Sequence, residues 1–286
     1  MSVPNFLSTF IASAPFQQGF TTIGFVLIAI VAVTVVETVI PLHGRGRWGA
    51  RHLVPNLTLT FLTFATNLFF NTALVLTLIW LQTLNFGLIH QFKVGPWLEV
   101  AVVVLSLDLT FYVSHVAMHK VPGFWRYHRV HHSDLALDVT TTIRQHPGES
   151  VIRYAFLAAA AFALGASPAA FAVYRVQSTL QGLVEHADIK LPLVLDTFLS
   201  WFITSPNMHK VHHSRDARYT DTNYGNITSL WDRLFFTFTP ARIGVDIDYG
   251  LDGFDERADQ TVWGLLVSPW RRRAAEGRGA PQTAEV

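Results

Sequence analysis

An apolar run from Pro96 to Ser114 ends on His115, and His119 follows four residues later. As a helix the run is about 28 Å long, close to the hydrocarbon thickness of a bilayer. The chain must therefore fold so that a membrane-length helix delivers two imidazoles at its end, because histidines at i and i+4 share one helix face. Two further clusters follow, His128-Arg-Val-His131-His132 and His209-Lys-Val-His212-His213. In each, the first and last histidines are again four apart, and the middle one sits at i+3. A single histidine is ordinarily a surface or satisfied core residue. Here ten of the 13 histidines fall between positions 115 and 213. Eight imidazoles in three clusters exceed what one ion takes from protein and point to two metal ions. None lies in a terminal run, which excludes an affinity tag.

The ligand types narrow the metal only in part. The chain has no cysteine, so thiolate zinc sites, iron–sulfur clusters and haem-thiolate are excluded. The first pair lacks the glutamate of H-E-x-x-H, which argues against a zincin-type hydrolase. Imidazole suits zinc, copper, iron and nickel alike.

Charged residues make up 14% of the chain against about 25% in a soluble domain, and the apolar residues are gathered into runs. Thr22–Ile40 is long enough to span, with Glu37 near its end read as structural. Leu53–Leu84 is too long for one perpendicular crossing and must tilt, kink or extend past the bilayer. Its Asn67 and Asn71 share a face and are expected to hydrogen-bond a neighbouring helix. Val151–Ala166 and Ala169–His186, joined at Ser167-Pro168, predict a hairpin that either re-enters or spans, and that returns His186 to the side of the clusters. Leu193–Ile203 is amphipathic, with Trp201 as an interfacial anchor. The fold class is thus all-α, an integral-membrane helical bundle of about four transmembrane helices. Residues 1–270 are expected to form one membrane-embedded domain, and the Arg-, Gly- and Ala-rich residues 271–286 a disordered tail.

Asp108, inside the third run and seven residues before His115, lies on the same helix face. It either orients a ligand imidazole or makes a buried helix–helix contact. His43 and His52 belong to a basic loop with Arg45, Arg47 and Arg51 and are expected to be solvated. Together with Lys120, Arg126 and Arg129, these arginines put the clusters and the C-terminus on the cytoplasmic side. No positively charged segment precedes the first apolar run, so a cleaved signal peptide is not expected. The net charge of +1 gives no reason to expect a nucleic-acid partner.

From about residue 96 to 270 the chain resembles the fatty acid hydroxylase / sterol desaturase superfamily. The order H-x-x-x-H, H-x-x-H-H, a lone histidine after a hairpin, then H-x-x-H-H carries the resemblance. Shorter phrases add to it: Asp108 with Tyr112, His146-Pro147-Gly148-Glu149, Glu185-His186, Asn207-Met208-His209, Asn223-Tyr224-Gly225, Trp231-Asp232-Arg233 and Tyr249-Gly-Leu-Asp252-Gly.

The resemblance implies a non-haem di-iron centre under a cytosolic helical cap. It implies O2 as co-substrate, and a membrane lipid as the substrate that is hydroxylated or desaturated. The implied ligands are His115, His119, His128, His131, His132, His186, His209, His212 and His213. His146, Asp108, Glu149 and Asn207 are implied as supporting groups, with His146 also open as an extra ligand. Some relatives carry one more histidine where this chain has Gly182, and relatives often carry glycine where this chain has Phe236. Iron is selected by the resemblance; zinc can take its place in purified protein. No haem or flavin motif is read in the chain, so electrons are expected from a separate reductase, ferredoxin or cytochrome. Two other classes stay open: a divalent-metal transporter and a structural zinc protein. Against transport, the clusters sit at the ends of spans, whereas transport sites lie near the midplane. The lipid itself is not legible.

Overall fold

The computed structural model describes residues 3–43 and 49–271. Arg45, Arg47 and the tail expected beyond residue 271 lie outside them. A short helix, α1 (Val3–Ala12), leads into α2 (Ala14–Val39), α3 (Ala50–Thr83) and α4 (Pro96–Lys120). These last three are long and apolar enough to cross a membrane. On α2, Phe25, Ile28, Val31, Val35 and Val39 are exposed, the pattern of a helix that faces lipid. Glu37 is fully buried at its end and accepts the backbone N–H groups of Val139 (2.9 Å) and Asp188 (2.7 Å), a structural role.

α3 is one continuous helix of 34 residues, about 51 Å long. α4 continues past the apolar run to Lys120, so His115 and His119 sit on the last turns of the span itself. α5 (Pro122–His132) follows after one residue. α6 (Pro147–Leu164) and α7 (Pro168–His186) form the hairpin. Proline opens each of α4 to α7, where its missing N–H would have had no partner and its fixed φ suits the first turn.

The hairpin turns at Gly165, which ends α6 with φ 68°, a left-handed C-cap that favours glycine. A Cβ there would fall 2.2 Å from the Phe86 carbonyl oxygen and 2.9 Å from Gly87 Cα. The next residue but one, Ser167, donates its N–H to Glu99 (3.1 Å). The tip therefore reaches the α3–α4 connection, and α6 and α7 run the length of the bundle. Leu74, Leu78, Val103, Leu107, Leu157, Phe171 and Tyr174 form the core between α3, α4, α6 and α7.

Shorter helices complete the histidine end: α8 (Leu193–Leu199), α9 (Pro206–His212), α10 (Ala217–Thr220), α11 (Leu230–Leu234) and α12 (Val262–Val267). Val194, Phe198, Trp201 and Phe202 are exposed on and after α8, matching the amphipathic reading of that stretch. Phe236, just after α11, is 94% exposed with φ 59°. Glycine would adopt that backbone without penalty.

Candidate metal centre

The structure brings the nine clustered histidines together in two adjacent, fully buried groups. His115, His119, His128, His132 and His212 form one, and His131, His186, His209 and His213 the other. The helical spacing explains the sorting. The i,i+4 pairs 115/119, 128/132 and 209/213 each stay together, while the middle residues, His131 of α5 and His212 of α9, cross to the opposite group. The groups touch through His132 and His213, stacked with ring centroids 4.5 Å apart.

Hydrogen bonds fix which ring nitrogens face inward. His115 donates Nδ1–H to the Tyr224 carbonyl (2.8 Å), and His212 donates Nδ1–H to the Thr222 carbonyl (2.7 Å). A carbonyl only accepts, so the Nε2 atom of each neutral ring carries a bare lone pair. Those two Nε2 atoms face each other at 3.1 Å. In the second group His186 donates Nδ1–H to the Gly182 carbonyl (2.8 Å), and its bare Nε2 stands 3.1 Å from Nε2 of both His131 and His209.

Opposed lone pairs buried at this distance repel unless a cation lies between them. Protonated imidazoles cannot supply it. Burial, and then the neighbouring imidazoles, hold His128, His131, His132, His209 and His213 well below the ordinary imidazole range; burial and His119 do the same for His212. Nitrogens bound about 2.1 Å from one divalent ion and at right angles lie about 3.0 Å apart, so the spacing suits a shared metal.

Around the rings lie the groups that hold them. His119 points Nδ1 at Asp221 (3.2 Å), which also receives Lys120 (2.7 Å). Burial would raise the Asp221 carboxyl, but its bonds to His119 and Lys120 outweigh this and keep it well below the usual range. Glu149, buried at the start of α6, lies 3.1 Å from His128 Nδ1 and is held by Arg153 (2.9 Å). The α5 end that carries His131 and His132 is tied to α3 by buried Arg144. Its guanidinium donates to Asn56 (2.7 Å), Ser133 (3.0 Å) and Gln260 (2.9 Å), and Asp134 accepts from Asn56 (2.8 Å) and Thr141 (2.7 Å).

The other expected residues have different places. Asp108 touches no imidazole. It accepts the N–H groups of Ile227 (3.0 Å) and Thr228 (3.3 Å) and the indole N–H of Trp231 (2.8 Å), so of its two readings the buried contact holds. It anchors the loop that presents the Tyr224 carbonyl to His115. His146 is not with either group. It caps α6 by accepting the Gly148 N–H at Nδ1 (2.9 Å), and donates Nε2–H to the Leu266 carbonyl (3.1 Å), leaving no lone pair for a metal. Asn207 lies in the first turn of α9, its N–H directed at Asp196 (3.3 Å). His52 is not solvated: it sits between Asp134 (3.1 Å) and Asp138 (2.9 Å). His43 is exposed, as expected, and its Nδ1 meets buried Asp188 at 2.9 Å. Asp232, Asp221, Asp134 and Arg144 were not singled out from sequence as site residues. Only Asp232 carried a signal, as part of the Trp231-Asp232-Arg233 phrase.

A cavity of about 580 Å³ runs from the histidines into the bundle. His115, His131, His186 and His209 line one end, and Val26, Phe64, Ile143, Phe111 and Leu157 line its apolar wall. Asn67 and Asn71, expected to bond a neighbouring helix, also face this cavity.

Residues 100–237, which include all nine histidines, match the family model for fatty acid hydroxylase. The chain carries a fatty acid hydroxylase domain. The domain's curated relatives modify lipids by name. An alkylglycerol monooxygenase of Xenopus tropicalis is 30% identical over 158 residues, 55% of this chain and 34% of that protein. An ornithine lipid hydroxylase of Rhizobium tropici is 29% identical over 189 residues, 64% of this chain and 54% of that protein. A cholesterol 25-hydroxylase-like protein of Danio rerio is 25% identical over 142 residues, 49% of this chain and 55% of that protein. The chain thus spans about a third of the alkylglycerol monooxygenase's length. No solved structure matches the chain.

Proposed function

We propose that this protein is a membrane oxidoreductase that uses O2 to hydroxylate a C–H bond of a lipid at a dinuclear iron centre. The observation that carries the reading is the pair of buried imidazole groups at one end of an apolar cavity, with the bare Nε2 atoms of His115 and His212 opposed at 3.1 Å in the first. His115, His119, His128, His132 and His212 would hold one ion, and His131, His186, His209 and His213 the other. The group with four histidines is the one where Gly182 stands in place of a relative's histidine. When bound, iron supplies the redox chemistry that activates O2 against an unactivated C–H bond.

The chain's own residues do the rest. The carbonyls of Tyr224, Thr222 and Gly182 hold His115, His212 and His186 in one tautomer, which makes them better ligands. Glu149 and Asp221 set the orientation of His128 and His119. Phe111, Phe64, Ile143 and Leu157 exclude water from the channel that brings the lipid carbon to the histidines. Electrons come from a separate donor protein.

Hydroxylation is preferred over desaturation because the relatives' names include hydroxylases and monooxygenases. The test is Mössbauer spectroscopy with metal analysis on protein from cells grown in iron-57, followed by lipidomics of a deletion strain. About two coupled irons per chain and the loss of a hydroxylated lipid are expected. Zinc alone, with no iron regained on anaerobic reconstitution, would overturn the iron centre.

The histidine end is placed on the cytoplasmic side, on the strength of Lys120, Arg126 and Arg129. Because the chain has no cysteine, single cysteines report sidedness directly. In intact cells a membrane-impermeant maleimide is expected to label Trp97→Cys and to miss Asp252→Cys until the cells are lysed. The reverse pattern would invert the topology.

A further inference from the structure

Away from the histidines the cavity wall carries a cation and three amides. Arg175, midway along α7, lines the cavity and is half-buried. Its guanidinium lies 5.5 Å from the ring centre of Tyr154. No carboxylate within ion-pair distance and no hydrogen bond accompanies it among the described residues. Arg153, the other arginine on the wall, is by contrast paired with Glu149.

Three amides share this depth. The Tyr154 hydroxyl donates to the Asn67 carbonyl (3.3 Å), which places α3 level with Arg175. Gly19 packs on Leu68, where a Cβ would come within 2.2 Å, which brings Gln18 of α2 to the same level. Gln18, Asn67, Asn71 and Arg175 all line the cavity there. An arginine is always charged, and inside a membrane bundle an uncompensated charge is costly and normally finds a partner. Arg175 and His186 are eleven residues apart on one helix, about 16 Å along its axis.

We propose that Arg175, with Gln18, Asn67 and Asn71, binds the anionic oxygen group of the substrate, a carboxylate or a phosphate. The hydrocarbon chain then lies along the apolar wall toward the histidines. This deepens the lipid-oxidase reading and rests on it: the substrate is an anionic amphiphile, oxidised along its chain at a distance from the charged group.

The test measures binding to the full chain in detergent by native mass spectrometry, with palmitate, palmitoyl lysophosphatidate and hexadecanol as probes. Wild type is expected to bind at least one of the two anions about tenfold or more tightly than the alcohol, the size of effect a charge-assisted contact gives. Whichever anion binds tighter identifies the oxygen group. Arg175→Gln is expected to lose that preference and keep its affinity for hexadecanol. Arg175→Lys is expected to retain part of the preference, which a variant that merely misfolds would not do. Equal binding of anion and alcohol by wild type, or an undiminished preference in Arg175→Gln, would overturn the proposal. Anion-selective binding without any oxidised product would leave the Arg175 site standing and remove the oxidase reading. Oxidation of chains without anion selectivity would do the opposite.

Discussion

His128→Ala and His213→Ala are each expected to abolish lipid oxidation, with activity falling more than about 100-fold. Even the loss of a group that merely supports a metal ligand costs on the order of 10- to 100-fold, and these two are assigned to the metals themselves. His128 stands 3.1 Å from His115 Nε2 and 3.2 Å from His132 Nε2, at the centre of the five-histidine group. His213 belongs to the four-histidine group and packs against His131 and His186. Each single variant should therefore lose about one iron per chain, from a different group, and keep the other. Under the proposed two-ion chemistry, the double variant should be no less active than either single one, as for residues that act as a unit. Metal analysis paired with a product assay on detergent-purified protein checks this. Full activity in both variants would end the assignment of these groups as the catalytic metal centre.

The part of the site that local spacing controls was legible. Histidines four apart on a helix share a face whatever the helix packs against, so 115/119, 128/132 and 209/213 were readable as pairs. The hairpin was readable too, because Pro168 starts a helix and the apolar stretches on either side match in length. Partners from distant segments were not. His52 meets Asp134 and Asp138 across more than eighty residues of sequence, and nothing in its basic neighbourhood indicates this. His146 sits in a phrase that resembles the family, yet its two nitrogens are used by Gly148 and Leu266. The helical face of Asp108 matched His115, but three donors from residues 227–231 reach it first. Spacing sets which way a side chain points; it does not say which donor arrives there.

Those donors lead to the residue whose loss should reach the metal from furthest away. Asp232 accepts the Tyr224 N–H (2.7 Å) and the Thr237 hydroxyl (2.7 Å) at one oxygen, and the Gly225 N–H (2.8 Å) at the other. The turn it clamps admits no side chain at Gly225, where a Cβ would lie 2.6 Å from the Thr228 carbonyl oxygen. Asn223 enters the turn with φ 55° and is locked by bonds to Met208 and Thr239. The product of this arrangement is one carbonyl, that of Tyr224, held 2.8 Å from His115 Nδ1. Asp232→Ala leaves two buried backbone N–H groups without an acceptor, at about 1–3 kcal/mol each, so a stability loss of roughly 2–6 kcal/mol is expected. It also frees the tautomer and ring angle of His115. Iron affinity in the five-histidine group should then drop by about 10- to 100-fold, while the group of His131, His186, His209 and His213 keeps its ion. Asp232→Asn retains the shape but trades one acceptor oxygen for a donor, and should fall between wild type and alanine in both readouts. Thermal unfolding of the metal-depleted protein separates the stability effect from the metal effect. If Asp232→Ala holds two irons as tightly as wild type, the Tyr224 carbonyl does not control the centre.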